Sequence, residues 1–287
     1  MIIAAVSALL AGVLFGLNVH IQHRALDTTD SLTGAAISLG VSAAMLWISS
    51  PLWMDWNWWS SGTVILFALC GLLFPAFAQL LQIRSIETVG SSLSAAIGAF
   101  APLFAVVPAV LFLNETVNLQ AATGIALLMA GLCISGFRTH RIQRTWPVWA
   151  LLLPLGASAV RGGTQPIVKV GLNEIPSAFF ATLVMTTVST LVLSACLIAT
   201  RRTVHSFKGK PGAVWFAVSG AVNCSGILAL AFAIKLGGVT LTAPLASTAP
   251  LWALFFGALI FRREALGLQH IVVACMVVLG AMLIITR

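Results

Sequence analysis

A motif that occurs twice within very apolar sequence limits the folds open to this chain more than any other feature. Residues 101–105 read Ala-Pro-Leu-Phe-Ala, and residues 249–253 read Ala-Pro-Leu-Trp-Ala. A Glu-x4-Gln-x10-Gly spacing follows each copy, and its paired positions are Glu115 and Glu264, Gln120 and Gln269, and Gly131 and Gly280. This many ordered matches indicate an internal duplication, so the chain consists of two copies of one unit.

The composition places both copies in a membrane. Hydrophobic residues make up 60% of the chain, charged residues 8%, and the mean hydropathy is +1.05, far outside the range of soluble domains. A span needs about 20 apolar residues, so a chain of 287 residues provides for about ten spans and no soluble domain. The net charge of +8 lies mostly in loops, where cytoplasmic retention and anionic lipids explain it better than nucleic acid does. The five cysteines lie in apolar runs without a CxxC pair, which favours helix packing over a disulfide or a metal.

Apolar runs bounded by charges or turn residues predict ten transmembrane helices, numbered here as spans one to ten. They lie near 2–22, 32–52, 62–83, 90–113, 119–137, 148–168, 177–199, 213–234, 239–261 and 266–285. We therefore predict an all-α membrane protein with a first five-helix repeat at 1–137, a basic linker at 138–147 and a second repeat at 148–287. Because five is an odd number, the repeats must enter the membrane from opposite sides, as inverted repeats that face each other across the midplane.

The basic residues predict the orientation in the membrane. Loops after odd-numbered spans contain eleven Lys and Arg residues: Arg24, Arg84, Arg138, Arg141, Arg144, Arg201, Arg202, Lys208, Lys210, Arg262 and Arg263. The opposite side contains Lys169, Lys235 and Arg287. Since cytoplasmic loops hold the excess of positive charge, this count places both termini outside the cytoplasm.

The Ala-Pro pair in the fourth helix of each half and the Glu-x4-Gln that opens each fifth helix resemble the drug/metabolite transporter superfamily, EamA type. The resemblance covers the whole chain and implies a ten-helix, alternating-access carrier in a plasma membrane (the bacterial inner membrane). It implies substrates such as amino acids, other organic acids, nucleotide sugars or drugs, with YddG-like amino-acid export the commonest function. It also implies a cavity lined by spans one, three, four, six, eight and nine, with spans five and ten peripheral or forming a homodimer. Family members usually place their basic loop between spans two and three, with cytoplasmic termini, whereas this chain has no Lys or Arg in that loop.

Arg161 is the charged residue predicted at mid-depth, in span six. A central arginine costs about 2.5–3.5 kcal/mol on insertion scales, so it should face a polar cavity and could bind a substrate carboxylate or phosphate. The alternative is a span that begins later, with Arg161 capping carbonyls at its end. Gly162, Gly163 and Pro166 predict an irregular helix here. All seven acidic residues lie at or near predicted helix ends, which disfavours a proton-coupled cation exporter and favours zwitterionic or anionic solutes.

Other candidate substrate ligands are uncharged side chains predicted at depth, namely Asn18, Gln79, Asn223, Thr164 and Trp252. Hydrogen bonds between helices explain such polar groups equally well. His20 is a candidate for proton coupling because histidine is the side chain whose ordinary pKa lies near neutral pH, although a histidine near a helix end more often makes a structural hydrogen bond. Prolines predict breaks in spans three, four, six and nine: Pro75, Pro102, Pro108, Pro154, Pro166, Pro244 and Pro250.

The recurring motif itself is interpreted as structural. Pro102 and Pro250 break the fourth helix of each half, and each glutamate, Glu115 and Glu264, precedes a fifth helix whose N-terminal dipole a carboxylate complements. Gln120 and Gln269 complete the motif. We expect no enzyme, no cofactor and no metal, because clustered acids for metal chemistry are lacking. A membrane partner subunit without a transport function is the alternative of a different class, and it predicts an apolar interface in place of a polar cavity.

Overall fold

The computed structural model describes residues 1–138, 147–200, 211–259 and 268–286, and within these ranges all regular structure is helical. Spans one to three are Ile2–Ala25, Ser31–Trp53 and Thr63–Val89. Span four consists of Ser91–Gly98 and Ala101–Leu113, and span five is Leu119–Arg138. Spans six to eight are Leu152–Glu174, Ala178–Ala199 and Pro211–Gly237; span nine consists of Val239–Ala246 and Ala249–Leu259, and span ten is Leu268–Ile285.

Ten spans were predicted, and the helices occur in the predicted order. By length and composition, six helices in the described part of the chain are long and apolar enough to cross a membrane, with span nine taken as Val239–Ala258. Three shorter apolar helices, Ala101–Leu113, Leu119–Leu132 and Val272–Ile285, belong to spans four, five and ten. Span six is more polar because it contains Arg161, Lys169 and Glu174.

Matching contacts in the two halves show the inverted duplication at atomic scale. In span two, the Ser42 hydroxyl donates a hydrogen bond of 2.8 Å to the carbonyl of Gly220 in span eight. In span seven, the Ser189 hydroxyl donates one of 2.6 Å to the carbonyl of Gly71 in span three. Span two therefore contacts span eight as span seven contacts span three, which is the relation that a pseudo-twofold axis in the membrane plane produces.

Two glycines allow the corresponding close packing of spans one and six. A Cβ at Gly16 would lie 2.7 Å from the Cβ of Trp252 in span nine, and a Cβ at Gly162 would lie 2.8 Å from the Cβ of Phe104 in span four. Trp252 and Phe104 are the paired aromatic positions of the repeated Ala-Pro motif. Small residues let helices approach closely in a membrane, so each first helix of a repeat packs against the motif of the other repeat.

Three of the four predicted helix breaks are confirmed. Span three contains a π-helical turn with Phe74 at φ −132° and ψ 124°, directly before Pro75. Spans four and nine each divide just before the Ala-Pro pair, so that Pro102 and Pro250 lie in the first turn of their second pieces, where a proline removes no helical hydrogen bond. The irregularity predicted for span six is wrong, because Leu152–Glu174 is one continuous helix that includes Pro166. Supporting neighbours make proline tolerable inside membrane helices.

Glu115 has a structural contact, but at a different helix from the predicted one. Its carboxylate accepts hydrogen bonds of 2.9 and 2.8 Å from the backbone N–H groups of Val239 and Thr240, at the start of span nine in the other repeat. The start of span five is capped by Asn118, whose Oδ1 accepts from the N–H of Ala121 at 2.8 Å. The glutamate therefore joins the two halves, which a pattern read along one helix does not reveal.

The rest of the motif joins spans five and ten. The Gln120 side chain donates hydrogen bonds to the Leu283 carbonyl at 3.2 Å and to the Thr286 hydroxyl at 2.8 Å. Glu264 and the side chain of Gln269 lie outside the described residues.

Candidate functional site

A polar cavity lies where the two halves meet. Six spans line it, namely one, three, four, six, eight and nine, the same six that the resemblance implies. The polar side chains of the lining are Asn18, Gln22, Gln79, Gln82, Arg161, Gln165, Asn223 and Ser247. Its volume is about 60 Å³, enough for a few water molecules but below the roughly 300 Å³ at which small-molecule pockets begin. A metabolite can enter only after the walls move apart.

Arg161 lies near the middle of span six, and its side chain is part of the cavity wall. Its guanidinium carbon is 5.3 Å from the ring centre of Phe15 and 5.8 Å from that of Phe74, distances at which a cation is attracted to an aromatic face. The buried Nε has no hydrogen-bond partner among the described residues. The alternative with Arg161 at a late helix start is wrong, because the helix begins nine residues earlier, at Leu152.

Phe15 and Arg161 occupy corresponding places in the two repeats. Each directly precedes the glycine, Gly16 or Gly162, that packs on the Ala-Pro helix of the opposite half. The pseudo-twofold relation therefore brings the two positions face to face at the centre, with an aromatic ring on one side and a guanidinium on the other. The duplication has retained the backbone arrangement here while the two side chains differ in charge.

Gln79 and Asn223 meet across the cavity wall, as a pair. The Asn223 amide donates a hydrogen bond of 2.8 Å to the Gln79 side-chain oxygen, and the Gln79 amide donates one of 3.0 Å to the Ser38 hydroxyl. The two predicted ligands thus share a buried network between spans two, three and eight. Their contact pairs a donor with an acceptor between spans three and eight, which favours the role of shaping the wall.

Asn18 and Gln165 differ from that pair. Both line the cavity and both are buried, with 4% and 5% of their surfaces exposed. The side-chain oxygen of each accepts no hydrogen bond from the described part of the protein. Asn18 was a predicted ligand, whereas Gln165 was missed; its position four residues after Arg161 on one helix, and hence on the same face, is the sequence signal that identifies it.

Three other predicted residues are not among those that line the cavity. The Thr164 hydroxyl donates to the carbonyl of Val160 at 2.9 Å, one turn back in its own helix, the usual arrangement for threonine in membrane helices. Trp252 packs edge to face on Phe255, with ring centres 6.2 Å apart. His20 Nε2 lies 2.6 Å from the carbonyl of Ala253, so this ring nitrogen joins spans one and nine.

The electrostatic character of the cavity follows from its composition. Among the described residues that line it, Arg161 is the charged side chain, and the others are amides, a hydroxyl, aromatic rings and small or aliphatic groups. A buried positive charge without an acidic neighbour attracts an anion. The amides add donors and acceptors that hold a polar solute in a defined orientation.

The inverted five-helix repeats and the central polar cavity define an integral membrane carrier, the class in which the substrate site lies between repeats at the midplane. The comparison with known families gives the same answer: the EamA-like transporter family matches residues 2–137 and 148–286. The chain belongs to this family, and it transports small solutes across a membrane. No curated protein matches the sequence.

One solved structure, titled only "Crystal structure of protein", is similar to this chain throughout its length. The TM-score is 0.76, the sequence identity is 12%, and the alignment covers 98% of this chain and 95% of the other. At this level of identity the likeness shows a shared fold, in which side chains of the cavity are free to differ.

Proposed function

We propose that this protein is an alternating-access exporter of amino acids or related zwitterionic and anionic solutes. The observation that supports the proposal is Arg161, a guanidinium at mid-depth in a cavity whose described lining has no carboxylate. Arginine binds carboxylates with two parallel, charge-assisted hydrogen bonds. In a low-dielectric setting such a pair orients the solute as well as attracting it.

The positions of Phe15 and Phe74 support a ligand role for Arg161. The centres of the two rings lie 5.3 and 5.8 Å from the guanidinium carbon. The rings stabilise the positive charge when the cavity is empty. A cation held by aromatic faces can still donate its N–H groups in the plane to an entering carboxylate. The arrangement therefore keeps a charged donor ready without using those donors in a salt bridge.

The inverted repeat supplies the mechanism of access. Its two halves can rock about a central site so that the cavity opens first to one side and then to the other. The lining extends from Arg161 to Gln22, near the end of span one, and Gln82, in the second half of span three. The cavity therefore extends towards the face with the basic loops, which is the predicted cytoplasmic face and the side from which an exporter takes up its substrate.

We propose further that the protein resides in the plasma membrane (the bacterial inner membrane), with both termini outside the cytoplasm. The excess of Lys and Arg in loops after odd-numbered spans supports this orientation.

Counterflow in proteoliposomes tests the function. Vesicles that contain purified protein are preloaded with unlabelled solute and assayed for uptake of labelled amino acids, 2-hydroxy acids, dicarboxylates and a cationic dye. We expect exchange of a carboxylated solute but not of the dye. Arg161→Gln should lower uptake at least about tenfold, the cost of one charge-assisted contact. Arg161→Lys, which retains charge but loses the two-pronged geometry, should keep intermediate activity.

Arg84→Gln is the matched control, because Arg84 is exposed and belongs to span three; its uptake should equal that of the unaltered protein. Undiminished uptake by Arg161→Gln would exclude Arg161 as the carboxylate ligand. Exchange of the dye alone, or of no solute, would contradict the proposed substrate class.

A further inference from the structure

Two residues that line the cavity each have a buried side-chain amide oxygen without a hydrogen-bond donor among the described residues. These oxygens are Oδ1 of Asn18 in span one and Oε1 of Gln165 in span six. The two side chains come from opposite halves of the protein, and both are more than nine-tenths buried. The neighbouring amides of Gln79 and Asn223 are joined to each other, so these unmet acceptors are a property of two particular residues and are not common to every amide of the cavity.

An unmet acceptor in a buried site is costly. Leaving one without a donor costs about 1–3 kcal/mol, and native proteins contain few of them. Two unmet acceptors therefore destabilise the empty site, and a ligand that supplies the donors removes this penalty on binding. Because amide oxygens only accept hydrogen bonds, the group that fits them must carry N–H or O–H.

The positions of these two residues relative to Arg161 indicate which kind of ligand fits the site. Gln165 follows Arg161 by four residues in a continuous helix, so their side chains lie on one face, with Cβ atoms about 5–6 Å apart. Asn18 follows Phe15 by three residues in span one, and Phe15 is the ring against Arg161. Gln165 thus lies about one helical turn from Arg161 in span six, Asn18 lies about one helical turn from the ring that Arg161 contacts, and all three side chains line the same cavity.

We infer that Asn18 and Gln165 form an ammonium subsite beside the carboxylate-binding Arg161, so that the site selects α-amino acids over acids without an amino group. This inference rests on the proposed function. An ammonium group has three donors, enough for both amide oxygens, while its carboxylate pairs with the guanidinium. A 2-hydroxy acid offers one donor and leaves at least one oxygen unmet. A simple amine has the donors, but as a cation without a carboxylate it is repelled by the positive charge of Arg161.

Paired solutes that differ in one group give the sharpest test. Uptake into proteoliposomes is measured for an α-amino acid, for the 2-hydroxy acid with the same side chain, and for the amine that lacks the carboxylate. Wild-type protein should prefer the amino acid to the hydroxy acid at least about tenfold and should not transport the amine. Asn18→Leu and Gln165→Met, which remove an oxygen at similar size, should each reduce this preference about fivefold or more while uptake of the hydroxy acid is retained.

Two further variants separate selectivity from folding. Gln165→Asn retains a neutral amide oxygen and should keep more of the preference than Gln165→Met does. Ile167→Leu, at an exposed position of the same helix, should leave the preference unchanged. Retained hydroxy-acid uptake in the Asn18 and Gln165 variants shows that they are folded.

The outcomes distinguish this inference from the proposal on which it rests. If both acids are transported equally well, or if the variants lower uptake of both by the same factor, the ammonium subsite is wrong and the carboxylate carrier stands. If neither acid is transported, both proposals are overturned. Transport of the amine alone would also overturn both.

Discussion

At the scale of single residues, a polar side chain within a membrane span is informative, but the sequence does not reveal its partner. Arg161, Asn18, Gln79 and Asn223 were recognised from sequence because polar groups at depth are costly and need a reason. Which of them bind each other depends on how distant helices are arranged. Gln79 and Asn223, 144 residues apart, form a pair, while Asn18 keeps an unmet oxygen, and no local pattern separates these two cases.

The pairing of Gln79 with Asn223 predicts a measurable stability effect. Asn223→Ala removes the donor to the Gln79 oxygen and should lower the free energy of unfolding by about 0.6 kcal/mol, with an upper limit of about 1.7 kcal/mol, the range for hydrogen bonds between membrane helices. Reversible unfolding in mixed micelles measures it. The double variant Gln79→Leu with Asn223→Leu should recover part of the loss, because it leaves no buried amide unpaired.

Ser225→Ala provides the control two residues away, since Ser225 is exposed and its hydroxyl donates to the Ala221 carbonyl of its own helix at 3.0 Å; the stability of this variant should be unchanged. A stability loss for the double variant equal to the sum of the losses of Gln79→Leu alone and Asn223→Leu alone would mean that the two side chains act independently.

At the scale of helices, the sequence predicts existence and order better than contacts. Hydropathy located every span because about 20 apolar residues are needed for each crossing, and proline positions located the breaks in spans three, four and nine. The unbroken span six shows the limit of that reasoning, because neighbouring helices decide whether a proline bends its helix. Glu115 shows the same limit: the helix start that it caps belongs to span nine, more than 120 residues away.

The packing of span six on span four predicts opposite effects for two adjacent glycines. A Cβ at Gly162 would lie 2.8 Å from the Phe104 Cβ and 3.1 Å from the Ala105 nitrogen, whereas a Cβ at Gly163 would meet nothing within 4 Å. Gly162→Ala should therefore destabilise the protein by about 1–3 kcal/mol, because overpacking forces the helices apart. Gly163→Ala should be neutral or should stabilise it by up to about 1 kcal/mol, since alanine favours a helix more than glycine does.

Thermal unfolding of the two purified variants in detergent compares them directly. Equal stability of the two variants would mean that spans four and six do not approach each other as closely as the structure has them. Gly16→Ala, at the corresponding position of span one, should behave like Gly162→Ala if the pseudo-twofold relation governs both contacts.

At the scale of the whole molecule, the odd number of helices in each repeat decided the architecture. Two copies of five crossings must be inverted, and the matching Ser42 and Ser189 hydrogen bonds follow from that inversion. The sequence does not predict the volume of the cavity, which is about 60 Å³ in this conformation. A carrier alternates between states of nearly equal energy, and the sequence encodes all of them at once. Charge, however, predicts which face lies inside.

The excess of basic residues in loops after odd-numbered spans predicts which exposed positions a membrane-impermeant maleimide reaches in intact cells. Two single-cysteine variants, made in a background without the five native cysteines, sample the two faces. Asp27→Cys lies in the exposed turn after span one, and Ser60→Cys lies in the exposed turn before span three. We expect labelling of Ser60→Cys but not of Asp27→Cys until the cells are permeabilised. A reporter fused after residue 287 should accordingly be active only outside the cytoplasm. The reverse pattern would place the basic loops outside; the face to which the cavity extends would then be extracellular, and the argument for export would fail while the carrier fold stood.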